Sequence, residues 1–127
     1  MRVFLIAATS VLLAVASGAH GANGDELNCR NWRSRANDIG QQGLNQCARR
    51  DFAKADALLN KTYREFVGKS DDNLRKAQRA WLAFRDAECA YQSEGEKGGS
   101  LWPLEHADCM TELTNQRIKQ LREDAKP

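Results

Sequence analysis

The sequence predicts an all-α fold, a small three-helix bundle with an irregular N-terminal lead-in, stapled by two disulfides. Three observations predict it. Apolar residues recur at three- and four-residue steps from Leu44 almost to the C-terminus, the spacing of one helical face. Two breaks, at Gly68–Asp72 and Glu94–Gly99, divide that pattern into three. Four cysteines, an even number, all lie beyond an apolar leader, the usage of a disulfide-braced exported domain.

The size fits one domain and excludes a large multi-layer enzyme fold, since 127 residues leave little room for a second unit. Lys plus Arg total 19 against 17 for Asp plus Glu, a formal net charge of +2. That is far from the basic excess of a dedicated nucleic-acid binder, so no nucleic-acid partner is expected.

The chain opens with Met1 and Arg2, then the mainly apolar run Val3 to Ala16, then small residues from Ala16 to Ala22. One positive charge, a short apolar stretch and small side chains at the junction are the parts of a signal peptide. The run is too short to span a bilayer, which takes about 20 apolar residues. Residues 1–22 are therefore expected to be the signal peptide, cleaved between Ala19 and Ala22, and residues 23–127 a periplasmic or secreted domain. No cysteine stands at the junction to carry a lipid, so no stable membrane anchor is expected.

From Asp25 to Gly43 the chain is polar and broken by Asn28, Asn31, Asn37, Gly40 and Gly43. It reads as an irregular or short-helical lead-in, with Trp32 as its one large apolar group. Leu44, Ala48, Phe52, Ala55, Leu59, Tyr63 and Phe66 then mark the first helix, about Leu44 to Gly68. Leu74, Ala77, Trp81, Phe84, Glu88 and Tyr91 mark a second, about Asp72 to Ser93, with Glu88 as the one interruption of its apolar stripe. The steps resemble a short coiled-coil seam, but beside other amphipathic helices they read as the buried face of an intramolecular bundle. Glu94 to Gly99 reads as a flexible connection. Ser100 is the expected N-cap of a third helix reaching about Glu123, with Pro103 allowed in the first turn.

The cysteines are Cys29, Cys47, Cys89 and Cys109, which permit three pairings. Cys29–Cys47 with Cys89–Cys109 is preferred because each bond joins neighbours along the chain. An antiparallel hairpin of the second and third helices supports the latter bond.

The residues offer little for catalysis. Cys109 and His106 are one turn apart, but an oxidising compartment favours disulfide pairing over a free nucleophile. Asp86 and Glu88 point in different directions from a helix and have Arg85 and Arg79 near them as partners, so they do not make a glycosidase pair. The Arg-rich stretches Arg30 to Arg35 and Arg75 to Arg85 are diluted by acids and read as solvated faces. No C-x-x-C metal pattern and no phosphate-binding glycine loop occurs. No catalytic residue, metal or cofactor is expected, and the chain does not read as an enzyme.

Two motifs carry a resemblance. Asn45-Gln46-Cys47-Ala48 leads into Phe52, Ala55-Asp56, Leu59-Asn60 and Tyr63; Ala77-Gln78-Arg79-Ala80-Trp81 leads into Phe84-Arg85-Asp86 and Cys89. Together with Gly98-Gly99-Ser100, Pro103, Cys109, Leu113-Thr114, Arg117 and Leu121, this pattern resembles the LprI-type lysozyme-inhibitor domain over nearly all of residues 23–127. The resemblance implies a small exported helical bacterial domain, in a family named for a member that inhibits lysozyme. The founding type is a lipoprotein with additional sequence, so its surface tethering does not carry over. The shared residues fit packing, capping and disulfide roles, and none is carried over as an inhibitory site.

The expected function is binding to a lysozyme or another muramidase and blocking it sterically. Lysozymes are often strongly basic, whereas this chain is almost neutral once Arg2 is removed with the leader. Attraction would therefore have to be local, and Glu94 and Glu96 in the second connection are the candidate partner-binding residues. The alternative is an envelope adaptor or structural protein that binds another exported protein through a helix face.

Overall fold

The computed structural model describes residues 27–67 and 72–124. The expected signal peptide, residues 1–22, lies outside them, as does Gly68, the expected end of the first helix. The described chain is three helices and two 3-10 turns: a turn at Trp32–Arg35, α1 at Ala36–Val67, α2 at Asp72–Gln92, a turn at Glu94–Glu96, and α3 at Trp102–Asp124. The sulfurs pair as Cys29–Cys47 and Cys89–Cys109, the preferred connectivity.

The first helix starts earlier than its apolar stripe. It begins at Ala36 and is broken at Gly40, whose φ of 62° and ψ of 177° lie in a region reserved for glycine. The lead-in is thus short-helical, a 3-10 turn and one turn of helix re-aimed at Gly40. Trp32, 5% exposed, packs with Cys47, Ala48 and Ala107 and donates its indole N–H to Asp51 at 2.8 Å. Arg33 grips both carboxylate oxygens of Asp108 at 2.8 and 2.9 Å, tying the lead-in to α3. That hydrogen bond raises the Arg33 pKa against the smaller opposing effect of burial.

Helices α1 and α3 form the close pair. Their shared core runs from Ala48 and Ala107 at one end to Leu59, Ile118 and Leu121 at the other. Small residues at the contact let the backbones approach, while the α1 stripe supplies Ala48, Ala55 and Leu59 to the interior as its spacing predicts.

Helix α2 departs from the expected face. The stripe read from hydrophobicity splits: Leu74 and Trp81 pack inward, but Phe84 is 53% and Tyr91 77% exposed. The side chains α2 buries are Gln78, Arg85 and Cys89. Cys89 must face Cys109 on α3, and the residues four and eleven positions earlier, Arg85 and Gln78, share its side of a 3.6-residue helix.

Arg85 corrects a second expectation, since it is not part of a solvated face. Its side chain is 8% exposed, and it donates to Asp56 on α1 at 3.1 Å, to Thr114 on α3 at 3.3 Å and to Asp86 at 3.0 Å. The guanidinium lies 5.3 Å from both the Phe52 and Trp81 ring centres, within cation–π range. Arg117 on α3 repeats the arrangement one layer along, donating to Gln78 at 3.0 Å and to Gln120 at 2.6 Å with Trp81 at 5.9 Å. Burial lowers the Arg117 pKa, partly opposed by the charge of Asp124. Long polar side chains thus fill the space under α2. Among the described residues no buried side-chain nitrogen or oxygen lacks a partner, so this polar interior avoids the desolvation cost of unmade hydrogen bonds.

Candidate functional site: the braced acidic turn

Glu94 and Glu96 sit together on the 3-10 turn between α2 and α3, and both are exposed. The connection is more regular than the flexible segment its composition predicts. Backbone N–H groups of Glu96, Lys97 and Gly99 donate to the carbonyls of Ser93, Glu94 and Glu96 at 3.1, 3.1 and 2.9 Å. Gly98, at φ 83°, turns the chain into α3 in a conformation suited to glycine.

Each end of the connection is fixed to the body. At the start, Cys89–Cys109 joins the helices one turn below Ser93. Ser93, 1% exposed, donates its hydroxyl to the Cys89 carbonyl at 2.7 Å. His106 closes the same corner, with Nδ1 3.3 Å from both Ser93 Oγ and the Cys89 carbonyl oxygen, and its ring stacks on Trp102 at 4.9 Å. Because the serine proton is committed to Cys89, Nδ1 is the donor in this corner.

At the far end, Asn45 on α1 donates to the Ser100 carbonyl at 2.9 Å and is oriented by Gln41, which donates to its amide oxygen at 2.8 Å. Ser100 is therefore not the N-cap expected from its residue type. The Leu101 carbonyl accepts the first helical bonds, from Leu104 and Glu105, and Pro103 occupies the first turn of α3.

The electrostatics of the turn are modest. Lys97 stands 3.8 Å from Glu94 in an exposed pair, which contributes little stability and leaves the turn with one net negative charge. The other carboxylates considered from sequence are occupied separately, Asp86 by Arg85 and Glu88 by Gln92.

The neighbourhood of His106 does not assemble a nucleophile. Cys109 is in a disulfide, and the Ser93 hydroxyl is buried and donates to a backbone carbonyl. Among the described residues, no three His, Cys, Asp or Glu side chains come together as a metal site, and no helix is long and apolar enough to cross a membrane. Sequence reasoning missed Asn45 and Ser93 as braces. Asn45 carried a signal, since it stands three before Ala48 and seven before Phe52, on the apolar side of α1, where an amide has to find a partner.

The fold is that of a small helical protein stapled by two disulfides, with an acidic turn braced at both ends. The model of the family "Lysozyme inhibitor LprI" matches residues 32–121, and the chain belongs to that family. An uncharacterized protein of Rhizobium meliloti (strain 1021), R02472, is 36% identical over 133 residues, covering 91% of each chain. The uncharacterized protein YecT of Escherichia coli (strain K12) is 35% identical over 98 residues, 62% of this chain and 60% of its own. No solved structure matches.

Proposed function

We propose that this protein is exported by a signal peptide at residues 1–22 and, as a periplasmic or secreted domain, binds a lysozyme-type muramidase and blocks it sterically. Glu94 and Glu96 are the contact residues of this reading. Membership of an inhibitor family supports the general kind of function. Two disulfides, which persist in oxidising compartments, support export.

The single observation that carries the choice of surface is the bracing of the Glu94–Gly99 connection at both ends, by Ser93 and the Cys89–Cys109 bond on one side and by Asn45 on the other. A projecting segment already held in one shape loses less conformational entropy on binding. Its carboxylates face a class of enzyme whose cleft must admit a polysaccharide chain between two catalytic carboxyls. A protein wedge across such a cleft inhibits without any chemistry of its own. The charges act mainly by orienting the approach of a basic enzyme.

Equilibrium binding of the oxidised protein to an immobilised muramidase tests this surface. Glu94→Ala with Glu96→Ala is expected to weaken binding about tenfold and to flatten its salt dependence. Unchanged affinity would show that the turn is not the insert.

A further inference from the structure

We propose that the outer face of α2 pairs with the same face of a second copy of this chain, antiparallel and about a two-fold axis. The exposed residues Ala77, Ala80, Phe84, Ala87 and Tyr91 follow one another at three- and four-residue steps, a continuous uncharged seam on the side opposite Arg85 and Cys89. This seam holds two of the three exposed large hydrophobic side chains among the described residues, the third being Leu58 on α1.

The seam is complementary to itself in size and in charge. In antiparallel pairing with Phe84 set on Ala87 of the second copy, the same register sets Tyr91 on Ala80 and Ala77 beside Glu94. Every aromatic ring then meets an alanine, and no two large side chains collide. The ends carry opposite net charge: Arg75, Lys76 and Arg79 outnumber Asp72 in the first half of α2, and Asp86, Glu88, Glu94 and Glu96 outnumber Arg85 and Lys97 in the second half and the turn beyond. Within the chain Asp72 is paired to Arg75, Asp86 to Arg85 and Glu94 to Lys97. Antiparallel pairing brings Lys76 beside Glu94 of the second copy at both ends, whereas parallel pairing would align like charges. A two-fold contact needs such a self-complementary patch. One helix pair buries less than the ~800 Å² per partner of a standard interface, so the dimer is weak and concentration-dependent.

Sedimentation equilibrium of the purified oxidised protein, from roughly 10 µM to 1 mM, reads this directly. The mass should rise from one chain toward two. Ala80→Glu and Phe84→Glu alter exposed positions and should each raise the dissociation constant at least tenfold while leaving the helical circular dichroism unchanged. Lys76→Glu should weaken the dimer, and adding Glu94→Lys to it should restore association. A single-chain mass throughout, a dimer indifferent to the seam variants, or no restoration by the charge exchange would overturn the proposal. No muramidase is present, so the outcome is independent of the inhibitory reading.

Discussion

The guanidinium of Arg85 on α2 reaches the carboxylate of Asp56 on α1 at 3.1 Å while lying 5.3 Å from the ring centres of both Phe52 and Trp81. This contact joins the one helix that stands off from the close α1–α3 pair to both its neighbours, because the same nitrogen also donates to Thr114 on α3.

Arg85→Ala should therefore destabilise the fold by about 1–3 kcal/mol, by emptying the space and leaving the buried Thr114 oxygen without its donor, while Asp56 and Asp86 remain open to water. Arg85→Met keeps most of the volume and should cost less. Arg85→Lys should not recover the wild-type value, since one ammonium nitrogen cannot serve Asp56 and Thr114 and also replace the Nε donor to Asp86, and it offers the rings no flat face. Urea unfolding midpoints of the three variants check the order.

The lead-in depends on a conformation rather than on a contact. A Cβ at Gly40 would meet no atom within 4 Å, yet φ is 62°. Gly40→Ala should cost about 1–3 kcal/mol through backbone strain alone. Thermal denaturation measures it, and an unchanged midpoint would mean that the break in α1 is not required.

The two disulfides should separate stability from the order of the turn. Each closes a loop of similar length, 18 and 20 residues apart, so replacing either pair by alanine should cost about 3 kcal/mol. Only loss of Cys89–Cys109 releases the base of the acidic turn. Trypsin cleavage after Lys97 should accelerate in that variant and stay near the wild-type rate in the Cys29–Cys47 variant, under conditions where both remain folded.

Asn45 should matter to binding without touching a partner. Asn45→Ala removes the anchor at Ser100 and should weaken muramidase binding several-fold by loosening the turn, with a faster release rate and little change in association rate. Surface binding kinetics separate the two rates.

Much of the fold was legible because hydrophobic spacing and burial agree on α1 and α3. Ala48, Ala55 and Leu59, then Cys109, Met110 and Leu121, are buried as their periodicity requires. On α2 the two signals part. Phe84 and Tyr91 are more hydrophobic than Gln78 and Arg85, yet the latter pair is inside because Cys89 fixes which side faces α3. A covalent bond and a satisfied polar network outweigh the transfer free energy of two aromatic rings. The acidic turn was visible as composition, whereas its bracing depends on Asn45 meeting Ser100 from 55 residues away, a contact no local pattern encodes. Residue type places the cap of α3 at Ser100, one residue early, because the Ser100 carbonyl is taken by Asn45 and the Leu101 carbonyl accepts the first helical bonds.

The central claim is that this protein occupies a muramidase and stops it working. Titration of a fixed amount of enzyme with the oxidised protein, followed by cell-wall hydrolysis, tests it most directly. Activity should fall in proportion to the complex formed and return when the protein is reduced and unfolded. Full hydrolysis at saturating protein across several classes of lysozyme would contradict the account.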